Sequence, residues 1–283
     1  MHHPAPDRSR RSFLKLSAAL AGAAALGGRM PSLALAADED RTYAGLPMGI
    51  QTYTLRSLSF EKALDTIAND LKLKHVEIFP GHHPGKSPQQ VREMLDKRNL
   101  RCVAYGVVPF KKDADFNRKF FEIGKVLGVR SLSCDPDRDA FDTLDKQVEE
   151  FGIAAAIHPH GPGAKWVEIK QIHDAVKDHH KLIGLCNDTG HLIRAGQDPV
   201  EACHVFKDRL HGVHFKDFKR KGKDWDDVVL GDGELKVNDL VKTLLAMKYD
   251  GPLSLEYEGG DPVNASRKSL DRVNQAATKA QPA

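Results

Sequence analysis

Four short apolar segments in the second half of the chain each end in residues that can bind a metal ion or transfer a proton. They are IAAAIHPHG (153–161), LIGLCNDTGH (182–191), LHGVHFKD (210–217) and PLSLEYEG (252–259). Apolar runs of four to eight residues that alternate with amphipathic helices are typical of a parallel sheet covered on both faces. When such a sheet closes into a barrel, the carboxyl ends of its strands meet at one rim. We therefore expect the residues that end these segments to lie close together.

Strand-like and helix-like segments alternate eight times along the chain. Eight such units with right-handed crossovers close into a (β/α)₈ TIM barrel, an α/β fold. A Rossmann-type sheet is the alternative, but no GxGxxG motif follows the first strand. We expect a single barrel domain over residues 37–283, because no linker-like segment interrupts that range. The predicted strands are 48–54, 75–79, 101–108, 130–134, 152–157, 183–187, 212–215 and 253–257, and the predicted helices are 60–72, 88–98, 115–127, 140–151, 167–178, 199–207, 237–247 and 262–275.

The first 36 residues have the pattern of an export signal. Arg10 and Arg11 are followed by Phe-Leu-Lys, by the apolar segment 16–26 and by Ala-Leu-Ala at 34–36. A charged start, a short apolar core and an Ala-x-Ala end are typical of a removable signal peptide and not of a membrane span. The paired arginines resemble a twin-arginine signal. Residues 1–36 are therefore predicted to direct the protein to the periplasm or otherwise out of the cytoplasm, with no stable membrane association after cleavage.

Removal of this segment changes the charge of the protein. The whole chain has 42 basic and 39 acidic residues, a net charge of +3, and residues 1–36 carry five of the basic and one of the acidic residues. The remaining chain has 37 basic and 38 acidic residues, a net charge of −1. A near-neutral domain argues against nucleic acid as a partner. The densest basic cluster, 219–223, is expected to be a solvated loop after a strand.

The four cysteines show no spacing typical of a metal site or a redox motif. Three fall in predicted strands and one in a predicted helix, so buried thiols are the expected state, although export would permit a disulfide. They are Cys102, Cys134, Cys186 and Cys203.

Histidines are concentrated where predicted strands end. Of the twelve histidines in residues 37–283, six follow a predicted strand, four lie in helices and two precede strands. Together with Asp188 and Glu256, the six favour a site for one divalent metal ion. Mixed imidazole and carboxylate ligands suit Mn²⁺, Co²⁺, Zn²⁺ or Fe²⁺, whereas Mg²⁺ and Ca²⁺ prefer oxygen ligands. The six are His82, His83, His158, His160, His191 and His214.

Three motifs resemble the xylose isomerase-like barrels, the sugar phosphate isomerase/epimerase superfamily that also includes endonuclease IV-type enzymes. They are Asp-Thr-Gly-His (188–191), Val-His-Phe-Lys-Asp (213–217), and Leu-Gly-Asp-Gly-Glu (230–234) leading to Tyr-Asp-Gly-Pro-Leu-Ser-Leu-Glu (249–256). The resemblance covers nearly all of the chain after the signal segment. It implies a TIM barrel enzyme that acts on a small-molecule sugar substrate.

The resemblance also implies a ligand set for one divalent metal ion. In that superfamily a Glu after strand five, an Asp after strand six, a His after strand seven and a Glu after strand eight hold the metal. The last three match Asp188, His214 and Glu256. Related chains often read Ile-Glu-Asn-His-Gly after strand five, but this chain reads Ile-His-Pro-His-Gly at 157–161, so His158 replaces the glutamate as the fourth predicted ligand.

The presence of His158 in place of this glutamate affects which reaction the site is expected to catalyse. In the epimerases two glutamates pass a proton across an enediolate held by the metal. A neutral imidazole can bind a metal and act as a base, but His158 and Glu256 are not a symmetric carboxylate pair. We therefore expect proton removal next to a carbonyl of a sugar or keto-sugar, followed by a lyase or dehydratase-type elimination, for example on 3-keto-glycosides. The predicted base is Glu256 or His158, and His191 is a ligand or a nearby proton donor. Lys216 is predicted to stabilise an oxyanion or to pair with Asp217 or Glu256.

Four further residues are predicted to contact the substrate. Glu77 ends strand two and is expected to bind a sugar hydroxyl or to form a salt bridge. His82 lies in a loop that is either a substrate loop or a plain turn. His160 follows strand five, and Trp166 can stack on a sugar face.

The sequence leaves other functions open. A sugar isomerase or epimerase proper is the main alternative. An endonuclease IV-type nuclease requires a three-metal cluster and a basic face, which the near-neutral charge opposes. A non-catalytic carbohydrate-binding barrel would keep its metal in a closed site. The sugar, the metal and the oligomeric state are not specified by the sequence.

Overall fold

A computed structural model describes residues 42–281 of the chain. The predicted signal peptide, residues 1–36, lies outside the described residues, as does the predicted start of the barrel domain at residue 37.

Eight parallel strands form a closed barrel, and two further strands pair in an antiparallel hairpin. In the barrel the strands follow the order β1-β10-β7-β6-β5-β4-β3-β2, and the pairing of β1 with β2 closes the circle. Each of the eight predicted strands overlaps one of the barrel strands, which confirms the predicted TIM barrel. The strands are β1 (Met48–Gln51), β2 (His75–Ile78), β3 (Arg101–Phe110), β4 (Ser131–Pro136), β5 (Ala154–Ile157), β6 (Ile183–Asp188), β7 (Leu210–Phe215), β8 (Asp217–Lys221), β9 (Asp224–Val228) and β10 (Leu253–Leu255).

Helices connect the barrel strands and pack on their outer face. Each predicted helix overlaps a helix of the structure, and α6 is an additional short helix that the sequence did not indicate. Among the described helices, none combines the length and the apolar character needed to span a membrane. The helices are α1 (Phe60–Asp65), α2 (Pro88–Asp96), α3 (Ala114–Leu127), α4 (Phe141–Phe151), α5 (Ile169–Val176), α6 (Thr189–Arg194), α7 (Pro199–Val205), α8 (Val237–Ala246) and α9 (Pro262–Ala280), with a π-helical turn, Thr66–Asp70, directly after α1.

The helices contact the barrel through one apolar side. In α8 the buried residues are Val237, Leu240, Val241 and Leu244, a spacing of three and four residues that places all of them on one face of an α-helix. The four cysteines belong to the same interior and are free, buried thiols, as expected.

The register of the strands sets the height of the polar residues at the rim. Asp188 in β6 pairs with His214 in β7, and His214 pairs with Ser254 in β10. Glu256 follows two residues after Ser254, on the same side of the extended chain. Barrel closure therefore holds these side chains at one level.

The hairpin of β8 and β9 differs from the sequence prediction. Residues 219–223 were expected to be a solvated loop, but Lys219 to Lys221 pair with Asp226 to Asp224 across a tight turn. Gly222 has φ +63° at this turn, a conformation that glycine adopts without steric cost. The basic side chains are exposed, as expected, while the backbone forms a two-stranded ribbon above the rim.

Candidate active site

Four side chains that were predicted as metal ligands converge at the carboxyl-terminal rim of the barrel. His158 follows β5, Asp188 ends β6, His214 lies in β7 and Glu256 follows β10. One potential ligand atom of each residue lies within 4.8 Å of all the others. The four residues are buried, and Glu256 is the most exposed at 7%. The fold thus gathers residues that are far apart in the chain.

The contacts within this cluster are close to hydrogen-bonding distance. Nε2 of His158 lies 3.2 Å from Oδ2 of Asp188 and 3.1 Å from Nδ1 of His214. Nδ1 of His214 lies 2.8 Å from Oε2 of Glu256 and 3.6 Å from Oδ2 of Asp188. Two imidazole nitrogens and two carboxylate oxygens therefore face one common point.

This donor set fits a divalent metal ion. Four ligands at about 2.0–2.2 Å from a metal in a tetrahedron lie roughly 3.3–3.6 Å from one another, which is close to the separations in the cluster. Oδ2 of Asp188 is buried and makes no hydrogen bond, an unfavourable state for a carboxylate unless a cation lies beside it. The mixture of nitrogen and oxygen donors suits Mn²⁺, Co²⁺, Zn²⁺ or Fe²⁺.

A carboxylate behind His214 orients its ring. Nε2 of His214 lies 2.8 Å from Oε2 of Glu77, which also accepts a hydrogen bond from Oγ of Ser254 at 2.7 Å. Oε1 of Glu77 accepts a hydrogen bond from Oγ of Ser133 at 2.5 Å. With Nε2 donating to Glu77, the lone pair of Nδ1 can face the cluster, the arrangement found in metal-binding histidines.

Glu77 is therefore a partner of His214, which corrects its prediction as a residue that binds a substrate hydroxyl. The side chain is 1% exposed, and both of its oxygens are occupied by protein donors. Burial opposes ionisation, but the charge and the hydrogen bond of His214 outweigh it, so the pKa of Glu77 lies below its ordinary value. Of the two predicted roles, the ion pair is the one that the geometry supports.

Asp188 has one oxygen for the cluster and one for the backbone. Its Oδ1 accepts a hydrogen bond from the backbone N–H of His191 at 2.8 Å, which caps the first turn of α6. An aspartate at a helix N-cap satisfies a backbone donor that otherwise has no partner. The spacing in Asp-Thr-Gly-His thus leaves Oδ2 directed to the cluster and fixes the start of the helix that carries His191.

Lys216 is a fully buried cation next to Glu256. Its Nζ lies 3.5 Å from Oε1 of Glu256 and forms a shorter ion pair with Glu258. Burial lowers the pKa of this ammonium, but the surrounding carboxylates, Glu256 first, outweigh burial and raise it above its ordinary value. In the same way, burial raises the pKa of Glu256, but the charge of Lys216 outweighs it and holds the pKa below its ordinary value. Both groups are charged at neutral pH.

Asp217, the other predicted partner of Lys216, has a different role. Its two carboxylate oxygens accept backbone hydrogen bonds from Gly231 at 2.8 Å, from Gly233 at 3.0 Å and from Leu235 at 2.9 Å. The carboxylate therefore organises the turn that precedes α8. The predicted pairing of Lys216 with Asp217 is wrong, and the predicted pairing with Glu256 is present, together with Glu258.

His160 and His191 lie beside the cluster. Their ring centroids are 4.6 Å and 5.6 Å from that of His158, and the two rings are 5.5 Å apart. Loss of solvent around each ring is the main cause that lowers the pKa of His160 to about 3 and that of His191 to about 4. Both imidazoles are therefore neutral at pH 7 and can donate or accept a hydrogen bond at the rim.

Two residues predicted to contact a sugar have other contacts. Trp166 is 1% exposed, its Nε1 donates to the carbonyl oxygen of Pro136 at 2.9 Å, and its ring packs edge-on against Phe141. The prediction that Trp166 stacks on a sugar is wrong, because the ring is part of the core. His82 is also buried, with Nε2 3.0 Å from the carbonyl oxygen of Leu58, so it holds the loop after β2 in place, which supports the plain-turn alternative.

The structure adds residues to the site that the sequence analysis missed. Ser254 precedes Glu256 by two positions, the period that keeps two side chains on one face of a strand, and this spacing was a usable signal. Ser133 and Glu258 had no distinguishing pattern. Asp227 lies in β9, a strand that was not predicted, and its Oδ2 accepts a hydrogen bond from the backbone N–H of Glu258 at 3.1 Å.

The chain is similar in sequence and in fold to known proteins. The family described as "Xylose isomerase-like TIM barrel" matches residues 134–276, which include all four residues of the cluster. An inosose dehydratase of Lacticaseibacillus casei is 25% identical over 263 residues, which cover 75% of this chain and 86% of that protein.

Solved structures have the same fold. A D-tagatose 3-epimerase-like protein superposes with a TM-score of 0.68 at 16% identity, covering 83% of this chain and 99% of that chain. The "probable 3-DHS dehydratase AsbF" of Bacillus anthracis superposes with a TM-score of 0.63 at 13% identity, covering 80% of this chain and 98% of that chain. At these identities the likeness establishes the fold alone.

Proposed function

Because the chain belongs to the xylose isomerase-like TIM barrel family, we propose that it is a metal-dependent lyase acting on keto-sugar derivatives. The proposed reaction removes a proton from the carbon next to a carbonyl and expels a group, such as a hydroxyl, from the following carbon. The observation that carries the proposal is the buried cluster of His158, Asp188, His214 and Glu256. Of the relatives, the inosose dehydratase supports it, since its name denotes a dehydration.

The cluster residues would hold one divalent metal ion. When bound, such an ion supplies Lewis acidity, which polarises a carbonyl group and stabilises negative charge on its oxygen. The chain adds a charge of its own, because the ammonium of Lys216 is fixed 3.5 Å from Glu256. A preorganised cation in a buried site stabilises a developing oxyanion without reorganisation, so Lys216 is the proposed oxyanion partner.

Glu256 is the proposed base. It is an ionised carboxylate at the rim, and Lys216 and His214 hold it in place through its two oxygens. His158 is the alternative base. The neutral imidazoles of His160 and His191 are proposed to orient the substrate through hydrogen bonds to its hydroxyl groups.

Elimination is favoured over epimerisation because the site has an asymmetric pair of bases. Two-base epimerisation requires a proton acceptor on one face of the sugar and a donor of similar strength on the other. Opposite Glu256 the cluster presents the imidazole of His158, while the nearby carboxylate of Glu77 is occupied by His214 and two serine hydroxyls. A single carboxylate suits a reaction in which one proton is removed and a leaving group departs.

The proposal is tested with the mature protein loaded separately with Mn²⁺, Co²⁺ or Zn²⁺. Inosose, 3-keto-glucosides and unmodified ketohexoses are incubated with it in D₂O, and the products are followed by NMR. The expected result is an unsaturated elimination product from the keto-sugars, lost after chelation and restored by metal. Asp188→Ala should lose bound metal, measured by elemental analysis, while its circular dichroism stays that of the wild type. Efficient epimerisation of unmodified ketohexoses without elimination would overturn the proposal.

A second variant tests the asymmetry of the site. His158→Glu restores a carboxylate opposite Glu256 and should raise the ratio of epimerised to eliminated product. His160→Glu is the matched control, since it adds the same charge two residues further on, outside the cluster. An unchanged ratio in His158→Glu would show that the identity of residue 158 does not select the reaction.

We also propose that residues 1–36 export the protein by the twin-arginine route. The support is the sequence pattern of Arg10 and Arg11, the apolar segment and the Ala-Leu-Ala end. In a bacterial host with this pathway, the protein should appear in the periplasmic fraction with residue 37 as its first residue. The double substitution of Arg10 and Arg11 by Lys should retain the precursor in the cytoplasm. Export that survives in a strain lacking the pathway would refute the route.

A further inference from the structure

The β8–β9 hairpin places an acidic residue over the rim of the barrel. Asp227 in β9 pairs with Phe218 in β8, and directly opposite residues of an antiparallel pair have their side chains on the same face. The ring centroid of Phe218 lies 6.2 Å from that of His191, and the Nζ of Lys216 lies 5.9 Å from the centre of the Phe218 ring. The face shared by Phe218 and Asp227 therefore covers the candidate site.

The carboxyl group of Asp227 is only half satisfied by the protein. Its Oδ2 accepts a hydrogen bond from the backbone N–H of Glu258, whereas its Oδ1 is buried and makes no hydrogen bond. A buried polar atom without a partner is unfavourable, and a ligand hydroxyl placed against it would remove the deficit. Oδ1 of Asp227 thus lacks a hydrogen-bond partner among the described residues.

The other charged groups near Asp227 are already engaged. Lys216 is paired with Glu256 and Glu258, and Glu256 is also bonded to His214. Besides these, Tyr257 lies near enough that the charge of Asp227 adds to the effect of burial in raising the pKa of its phenol. Burial is the main cause that raises the pKa of Asp227 to about 7, with Glu258 and Glu256 adding to the shift and Lys216 opposing it. An acid with a pKa near the working pH is suited to general acid catalysis.

We infer that Asp227 is the general acid that protonates the departing hydroxyl in the proposed elimination. The base takes the proton from the carbon next to the carbonyl, and the electron pair of that C–H bond forms the new carbon–carbon double bond through the enolate. The C–O bond of the leaving group breaks with its electron pair on oxygen, and the proton of Asp227 joins that oxygen, so that water departs. Asp227 regains a proton from solvent, and the base returns its proton to solvent.

This inference rests on the proposed function, and it can fail separately from it. A purely structural role for Asp227 would be to anchor the hairpin to the chain after β10 through the N–H of Glu258. Asp227→Asn distinguishes the two roles, because the amide keeps an oxygen for that N–H and has no ionisable proton. Asp226→Asn is the matched control, since this neighbour is exposed and pairs with Lys221 at the surface.

The experiment uses the metal-loaded mature enzyme and two probes, a keto-sugar with a hydroxyl on the carbon β to the carbonyl and the analogue with fluoride there. Fluoride departs without protonation, so Asp227→Asn should lose about 10²–10⁴-fold in kcat on the hydroxyl probe and less than about fivefold on the fluoride probe. We expect kcat of the wild type to decline above neutral pH as the acid ionises, and Asp227→Asn should lose that decline. Exchange of the α-proton in D₂O should continue in the variant.

Several results would overturn the inference. One is an equal loss of kcat on both probes, and another is an unchanged pH profile in Asp227→Asn. If Asp227→Asn does not fold, as judged by its melting temperature, Asp227→Glu replaces it and should keep at least a tenth of the wild-type kcat on the hydroxyl probe. A wild type that eliminates from neither probe would overturn both this inference and the proposed function, whereas wild-type elimination with unaffected variants would overturn the inference alone.

Discussion

Replacement of Glu77 by Gln should weaken metal binding without unfolding the barrel. Three donors point at the two oxygens of Glu77, namely Nε2 of His214 and the hydroxyls of Ser133 and Ser254. Gln has the same shape, and its NH₂ group can occupy the position of Oε1, where the hydroxyl of Ser133 can rotate and accept a hydrogen bond. The amide oxygen then keeps the bonds to His214 and Ser254, but it lacks the negative charge.

The expected decrease in metal affinity follows from the loss of the negative charge of Glu77. A hydrogen bond to a charged group contributes about 1.5–3 kcal/mol, and a neutral one contributes about 0.5–1.5 kcal/mol. Loss of the charge at a group that supports a ligating histidine typically lowers metal affinity about 10–100-fold. Since Glu77→Gln keeps the hydrogen bond to His214 and loses only its charge, we expect a loss near tenfold, equivalent to about 1.4 kcal/mol.

The assay is a competition between the protein and a chromogenic chelator for Zn²⁺, with the dissociation constant fitted for each variant. Glu258→Gln is the matched control, because it removes the same charge from the partner of Lys216 and leaves His214 and Glu77 intact. An affinity of Glu77→Gln within twofold of the wild type would refute the role of Glu77. An equal loss in both variants would mean that net charge at the rim, and not the orientation of His214, governs binding.

Three further substitutions test the packing and charge of the site by urea unfolding. Lys216→Met should destabilise the protein by about 3–5 kcal/mol, because it leaves the buried carboxylate of Glu256 and the partly exposed one of Glu258 without their cation, and adding Glu258→Gln should recover part of the loss. Asp217→Asn should cost about 1–3 kcal/mol, because the carboxylate accepts three backbone hydrogen bonds in the turn before α8. Gly190→Ala should cost about 1–3 kcal/mol, because a Cβ there would lie 2.7 Å from the ring of Phe218.

The substitutions of Gly190 and Asp217 each have a matched control. Gly260→Ala adds a methyl group with nothing within 4 Å of it, and Asp271→Asn changes an exposed carboxylate. Both should stay within about 0.5 kcal/mol of the wild type. If Gly190→Ala is as mild as Gly260→Ala, the packing of Phe218 on α6 is looser than the structure shows. If Asp217→Asn matches Asp271→Asn, the three backbone hydrogen bonds contribute little.

Most of the fold could be predicted from the local pattern of apolar and polar residues. The prediction failed where that pattern is compatible with more than one structure. The apolar runs before His158, Asp188 and His214 mark strands by composition and length, so their ends were predictable to within a few residues. The hairpin was missed because β8 and β9 are mostly charged, and their pairing depends on contacts across the ribbon. Trp166 was assigned to the substrate because an aromatic residue after a strand suits either a binding site or the core, and only its burial distinguishes the two.

The sequence by itself determined the eight strand–helix units and the types of residue at the strand ends, because both depend on residues that are neighbours along the chain. Tertiary structure decided which of those groups meet. Glu77 and His214 are 137 positions apart, and they touch across the barrel interior because closure leaves only β1 and β10 between β2, which carries Glu77, and β7, which carries His214. Burial then decided their roles, since a carboxylate excluded from water must be satisfied by the donors that the fold brings to it. No local pattern contains that information, because the donors come from β4, β7 and β10.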